Sequence, residues 1–363
     1  MTAVQEAEVV KTRLTWLDAA RFSAAGMVLG YHYTFRGNNG GKIEASWPTF
    51  IQDVTKYGYL GVDLFFIISG LVIGFSAIGR TPRAYLGSRL SRLLPAYVAA
   101  VMLTSSALVI FRPGWRDVPS WSEIVANLTM VPNLLGQAYI EPVYWTLWCE
   151  LRFYAIVLIL VLFRPTKKTL LTLAGIWNLA GWLWWAVHWS GHNMPAWDLV
   201  VQPYSGQYFV AGIAIALLMH KKERYFVAAP ILLSACSLSA LAAMNFARNT
   251  EAHHDVDLNM GVVVSVVIAF HVVVAVCTML PPPASPKIAG AFTRLGALTY
   301  PLYLVHASIG YLIIGALVPS WGIVTATVVA AACAIAISFV IHRCIEEPVA
   351  PRLRKLISQG TLR

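Results

Sequence analysis

The chain has 363 residues, 58% of them hydrophobic and only 12% charged, with a mean hydropathy of +0.65. A soluble domain carries roughly twice that charged fraction, so an ordinary soluble protein is excluded and an all-α, polytopic integral membrane bundle is expected. The formal net charge of +10 does not point to nucleic acid, because the basic residues cluster beside the ends of apolar blocks.

In chain order the apolar blocks predict about ten transmembrane helices, near 16–35, 57–77, 94–110, 144–163, 169–188, 203–219, 225–246, 259–280, 297–318 and 322–342. No cleavable leader is expected, since the first thirteen residues are polar and a full apolar span follows. With the N-terminus in the cytoplasm, the inner segments hold 20 of the 27 Lys and Arg, including RPTKK (164–168) and HKKER (220–224). That asymmetry predicts both termini on the cytoplasmic side of the inner membrane. One membrane domain over 14–343, flanked by cytoplasmic tails 1–13 and 344–363, accounts for the chain. The five cysteines show no CxxC pairing, which indicates neither a disulfide framework nor a metal site.

The first span carries Arg21 and His32. Eleven residues are three helical turns plus about 20°, so both side chains share one face, about 16 Å apart along the axis. Ionisable groups are costly in hydrocarbon, so the stripe points to a protein-lined cavity in which His32 is a candidate general base. The plainer alternative is a histidine tied between helices for packing. Asp18, three residues before Arg21, is placed for an ion pair. In the second span Asp63 lies among apolar residues and needs a partner, for which Arg21 or His32 are candidates. Ser69 and Gly70 follow, about 120° round the helix from Asp63, and fit a close helix approach through small residues.

Arg89 and Arg92 come next, three apart on one side of a turn leading into the third span. A pair of guanidinium groups suits phosphate or diphosphate; positive-inside anchoring is the plainer alternative. In the fourth span, Glu150 and Arg152 lie on different faces and each needs a partner or a cavity. His306 in the ninth span shares a face with Thr299 and Tyr303 and reads as a packing histidine. His271 reads as core, and His253 and His254 as residues of a solvated outer loop.

Together these residues resemble the membrane acyltransferase-3 family of sugar and antibiotic O-acyltransferases. Arg21 and His32 match its Arg/Lys, ten residues, His motif; Phe65-Phe66-Ile67-Ile68-Ser69-Gly70 matches FFxxSG; Arg89 and Arg92 match RxxR. The segment from Trp145 to Tyr154 is similar to WSLxxExxFY, with Thr146 in place of Ser and Leu151 where a second acidic residue is common. LTYPLYLVH resembles SYSLYLxH, and Glu347-Pro348 falls in the closing E-[RK]-P segment. The resemblance runs from about residue 13 to 355.

The resemblance implies ten helices, an acyl-CoA donor, usually acetyl-CoA, and a hydroxyl acceptor on a glycan or glycosylated small molecule, with no permanently bound cofactor. It assigns Arg89 and Arg92 to the coenzyme A phosphates, Arg21 to the pantetheine arm, and His32 to the catalytic base or to carrying the acyl group itself. Asp63 is a candidate to orient His32, Ser69 a further donor-site candidate, and Glu150 a candidate for acceptor binding or proton handling. The expected partners are therefore acyl-CoA, the acceptor and the lipid bilayer, with no nucleic acid. A transporter or flippase of a lipid-linked glycan is the alternative; it also tolerates buried charge, although no internal repeat is evident.

Overall fold

The computed structural model describes residues 15–192, 194–219, 227–254 and 256–359, and these are all-helical with no strand. The helices are α1 (Thr15–Tyr31), α2 (Thr49–Thr55), α3 (Gly61–Ser76), α4 (Pro82–Phe111), α5 (Trp121–Leu128), α6 (Trp145–Leu162), α7 (Lys167–Trp189), α8 (Pro195–Val201), α9 (Gly206–Leu218), α10 (Ala228–His254), α11 (Met260–Met279), α12 (Pro286–Ile341) and α13 (Glu347–Gln359). Every apolar block read from the sequence has its centre on one of these. Seven helical segments among the described residues are long and apolar enough to cross a membrane, the last of them 286–359. That last segment merges the two final blocks, and Gly322, at φ 72° and ψ 165°, breaks it between them. Only glycine enters that left-handed region cheaply. HKKER (220–224) and the N-terminal tail 1–13 lie outside the described residues. The C-terminal tail is not plain coil: α13 occupies most of it. His253 and His254 are likewise not in a loop but end α10.

The backbone divides into two compact units. The first comprises residues 1–24, 60–85 and 149–296; the second comprises 25–59, 86–148 and 297–363.

The first unit is organised around α9. Every residue from Gly206 to Leu217 is buried, as expected for a short helix that is apolar all round. Its glycines make this possible. A Cβ at Gly70 would collide with the Phe209 carbonyl oxygen and sit 2.8 Å from Phe209 Cα, and one at Gly212 would collide with the Ile67 carbonyl oxygen. Gly70 therefore serves the close helix approach expected from the Ser69–Gly70 pair. Phe153 stacks on Phe209 at 4.1 Å between ring centroids, and the Trp177 indole N–H donates to the Val201 carbonyl at 2.7 Å, closing the start of α9.

The second unit is built on the N-terminal half of α12, where an unbroken run from Pro301 to Tyr311 is buried. The helical path of α1 continues beyond Tyr31 as a π-turn, His32–Arg36. Such wide turns leave one residue out of the regular ladder and often occur at functional positions. The turn is clamped on α12: Tyr33 donates its hydroxyl to the His306 carbonyl at 2.7 Å, and its ring occupies the space a side chain at Gly310 would need.

Candidate active site

His32 opens the π-turn. It is half-buried, and its Nδ1 lies 2.6 Å from the Tyr311 hydroxyl. No other hydrogen bond of its ring is found among the described residues, so Nε2 is the nitrogen left for chemistry. The His306 ring stands edge-on to it, with centroids 4.9 Å apart. His306 is fully buried, and its Nδ1 donates to the Tyr303 carbonyl at 2.8 Å. In a neutral ring that leaves Nε2 as an acceptor, and this atom is buried without a hydrogen-bond partner among the described residues. His306 is thus more than the packing histidine its tyrosine spacing suggested, because it belongs to a histidine pair.

Beside the pair lies a carboxylate that the sequence reading passed over. Glu141 is completely buried; it accepts from the Ser308 backbone N–H at 3.0 Å and from the Ser308 hydroxyl at 2.9 Å. Two side chains hold the loop segment before it in place. Asn127 donates to the Ala138 carbonyl at 2.8 Å and accepts from the Ile140 N–H at 2.9 Å. Arg116 donates to the Ile140 carbonyl at 2.6 Å and pairs with Glu123 at 2.5 Å. Glu123 is itself fixed in the first turn of α5, whose N-cap Ser120 accepts from the Glu123 N–H. Burial pushes the Glu141 carboxyl from 4.5 up to about 7, against the Ser308 hydrogen bonds and the charges of Lys42 and Arg116, which pull it down. Nothing in a loop written QAYIEPVYW marks this glutamate; the one hint is an acidic residue directly before Pro142, at the mouth of an apolar span.

The RxxR pair also belongs to this unit, but its members differ in exposure. Arg89 is 5% exposed, whereas Arg92 is exposed and within electrostatic reach of Glu346. Of the pair, Arg89 is buried in the protein interior and Arg92 is not. A second π-turn, His342–Glu346, closes on itself through His342 Nδ1 and Glu346 at 2.8 Å.

The remaining sequence candidates lie in the first unit. Arg21 pairs with Asp18 at 3.4 Å, as the spacing suggested. Asp63 takes neither candidate partner: its carboxylate accepts from the Tyr208 hydroxyl at 3.0 Å. The partner found for His32 Nδ1 is the Tyr311 hydroxyl. Ser69 donates to Glu150 at 3.1 Å, and Tyr154 donates to the same carboxylate. Sequence spacing gave no link between Ser69 and Glu150, since they sit on different helices. Arg152 donates to the Asp198 carbonyl at 3.0 Å, which explains its tolerance within an apolar span. His271 is core, hydrogen-bonded to the Val267 carbonyl at 2.8 Å.

Comparison with known proteins identifies the family. The family model described as an acyltransferase domain, Acyl_transf_3, matches residues 14–343. A curated protein of Komagataeibacter xylinus, provisionally named membrane-bound transacylase BcsY, is 29% identical over 187 residues, covering 46% of this chain and 42% of the relative. The chain thus spans less than half the length of that relative. No solved structure matches it. With apolar helices long enough to cross a bilayer and the family match over most of its length, the chain is a multi-pass membrane protein and belongs to the acyltransferase-3 family.

Proposed function

We propose that this membrane acyltransferase is an O-acyltransferase that moves an acyl group, usually acetyl, from acyl-CoA to a hydroxyl of a glycan or glycosylated small molecule. The observation that carries the reading is the His32 imidazole, held by Tyr311 at one nitrogen and free at the other. A general base needs that arrangement: one nitrogen hydrogen-bonded to fix the ring, the second directed at the proton to be removed. When Nδ1–H donates to the Tyr311 oxygen, Nε2 is the basic nitrogen.

In this reading the acceptor hydroxyl gives its proton to His32 Nε2 as its oxygen attacks the thioester carbonyl. Collapse of the tetrahedral intermediate breaks the carbon–sulfur bond, and the imidazolium returns the proton to the departing thiolate. His306, with an unpartnered Nε2 one ring away, is positioned to share or relay that proton. Arg89 and Arg92 supply cationic contacts for coenzyme A phosphates, and Arg21 a cation along the donor path. Glu150, bridged by Ser69 and Tyr154, is the candidate for orienting the acceptor. The chain crosses the inner membrane ten times with both termini in the cytoplasm, a topology supported by the ten apolar blocks and by the Lys/Arg asymmetry.

The test uses the purified protein with radiolabelled acetyl-CoA and panels of oligosaccharides or glycosides. Label should pass to an acceptor, with coenzyme A released in equal amount. Acceptor-independent behaviour, or translocation of a lipid-linked sugar without acyl-CoA, would overturn the assignment.

A further inference from the structure

Directly after the π-turn the chain reverses through Gly37, Gly40 and Gly41 and presents Lys42. The Lys42 and Ile43 N–H groups both donate to the Gly37 carbonyl, at 2.8 and 3.0 Å, and Gly41 takes the left-handed φ of 66° that the reversal requires. Gly37 is bare for a second reason, since a Cβ there would sit 2.9 Å from the Tyr311 ring. The Lys42 ammonium lies 4.9 Å from the centroid of the Tyr311 ring and 5.5 Å from that of Trp115. Those two rings meet edge to face at 6.0 Å. Lys42 is half-buried and makes no hydrogen bond or ion pair to any described residue.

A second cation stands close by. Arg36, the last residue of the π-turn, is half-buried, lies within electrostatic reach of Lys42, His32 and Tyr311, and has no carboxylate partner among the described residues. The other charges of the neighbourhood are committed. Arg116 is held by Glu123 and two carbonyls, and both oxygens of Glu141 face Ser308. Burial lowers the Lys42 ammonium most, the Arg36 guanidinium adds to it, and the Glu141 carboxylate opposes both. Lys42 and Arg36 together carry more positive charge than the single Glu141 carboxylate offsets, and a bound anion would relieve the excess.

We propose that Lys42 and Arg36, with Trp115 as an apolar wall, form an acceptor subsite that takes the carboxylate or phosphate of an acidic glycan and presents a neighbouring hydroxyl to His32. The inference rests on the acyl-transfer reading above and names the acceptor class. Trp115 and the Tyr311 ring supply the aromatic surface on which sugar C–H faces commonly rest, and Lys42 and Arg36 supply the charge.

The test is a binding measurement, so it remains readable even if acyl transfer is never observed. The full chain in detergent is titrated with trigalacturonate, mannose 6-phosphate, neutral maltotriose and coenzyme A. The wild type should bind at least one of the two anionic sugars more tightly than maltotriose. Lys42→Gln should weaken that binding about tenfold, the loss of one charge-assisted hydrogen bond, while its coenzyme A affinity stays unchanged. Lys42→Arg should restore most of the binding, and Trp115→Ala, which leaves the cations in place, should weaken acidic and neutral sugars together. An unchanged melting temperature in Lys42→Gln separates lost charge from lost fold, and Lys42→Arg carries the test if that variant is unstable. Binding of neither anionic sugar by the wild type, equal binding by Lys42→Gln, or a loss confined to coenzyme A would overturn the proposal; the last would assign the cations to the donor.

Discussion

Replacing Glu141 by Gln separates the cost of a buried charge from the shape of the site. In the native fold its carboxyl is pushed from 4.5 up to about 7 because burial outweighs its hydrogen bonds and nearby cations. A carboxyl whose folded value is raised is neutral and costs nothing below about pH 4.5, and it opposes folding progressively as pH rises through about 7. The gap between those two values corresponds to about 3 kcal/mol, present in full above pH 8 and absent at the acid end. Glutamine removes this pH-dependent cost. Its amide oxygen still accepts the Ser308 N–H, and its amino group can donate to the Ser308 hydroxyl, which turns from donor to acceptor. Thermal unfolding of both proteins in one detergent, from pH 4.5 to 9, reads the difference directly. The two curves should run together or with a fixed offset near pH 4.5 and separate as pH rises, Gln gaining on Glu by an amount approaching that figure. Parallel profiles across the whole range, or a wild type that gains on the variant as pH rises, would refute the claim that burial outweighs the hydrogen bonds and cations at Glu141.

Three further outcomes follow from the packing. Gly70→Ala forces a methyl group onto the Phe209 backbone and should cost roughly 1–3 kcal/mol or more; Gly26→Ala, whose methyl meets nothing within 4 Å, should be neutral or slightly stabilising in the same melting assay. Tyr311→Phe removes the hydroxyl from His32 Nδ1, and the loss of about 1 kcal/mol of orientation should lower kcat several-fold to tenfold with a smaller effect on KM for coenzyme A substrates. Asn127→Ala leaves the Ala138 carbonyl and the Ile140 N–H unsatisfied beside a fully buried position, so the melting temperature should fall by the equivalent of roughly 2–4 kcal/mol and activity should fall with it, because the loop carrying Glu141 loosens.

The apolar helices were legible because bilayer spans must be apolar over about 20 residues, and the centre of each apolar block falls on helical backbone. Local chemistry was legible as well: the Asp18–Arg21 pair lies one turn apart, and the Ser69–Gly70 small-residue contact is a surface that only a close neighbour can use. What failed to show were partners distant in sequence. Asp63 meets Tyr208 from 145 positions away, and Glu141 meets Ser308 from 167 away; no periodicity along one helix encodes which other helix will face it. Glu141 was also hidden by its setting, since a glutamate in a loop ordinarily reads as solvated. The π-turn at His32 was invisible for a different reason. HYTFR continues a helical pattern in composition, and the widened turn follows from Tyr33 and Gly310 interlocking. The family motifs singled out His32 as the candidate, whereas tertiary contacts supplied its companions Tyr311 and His306.

The central question is whether the second ring nitrogen of His32 takes the acceptor's proton. Single-turnover release of the coenzyme A thiol, measured on wild type and on His32→Ala and His32→Gln from the same detergent preparation with equal melting temperatures, addresses this directly. The wild type should release thiol in an acceptor-dependent burst, and both variants should lose at least about a hundredfold in rate, the usual contribution of a positioned base. Equal bursts from all three proteins would contradict the account.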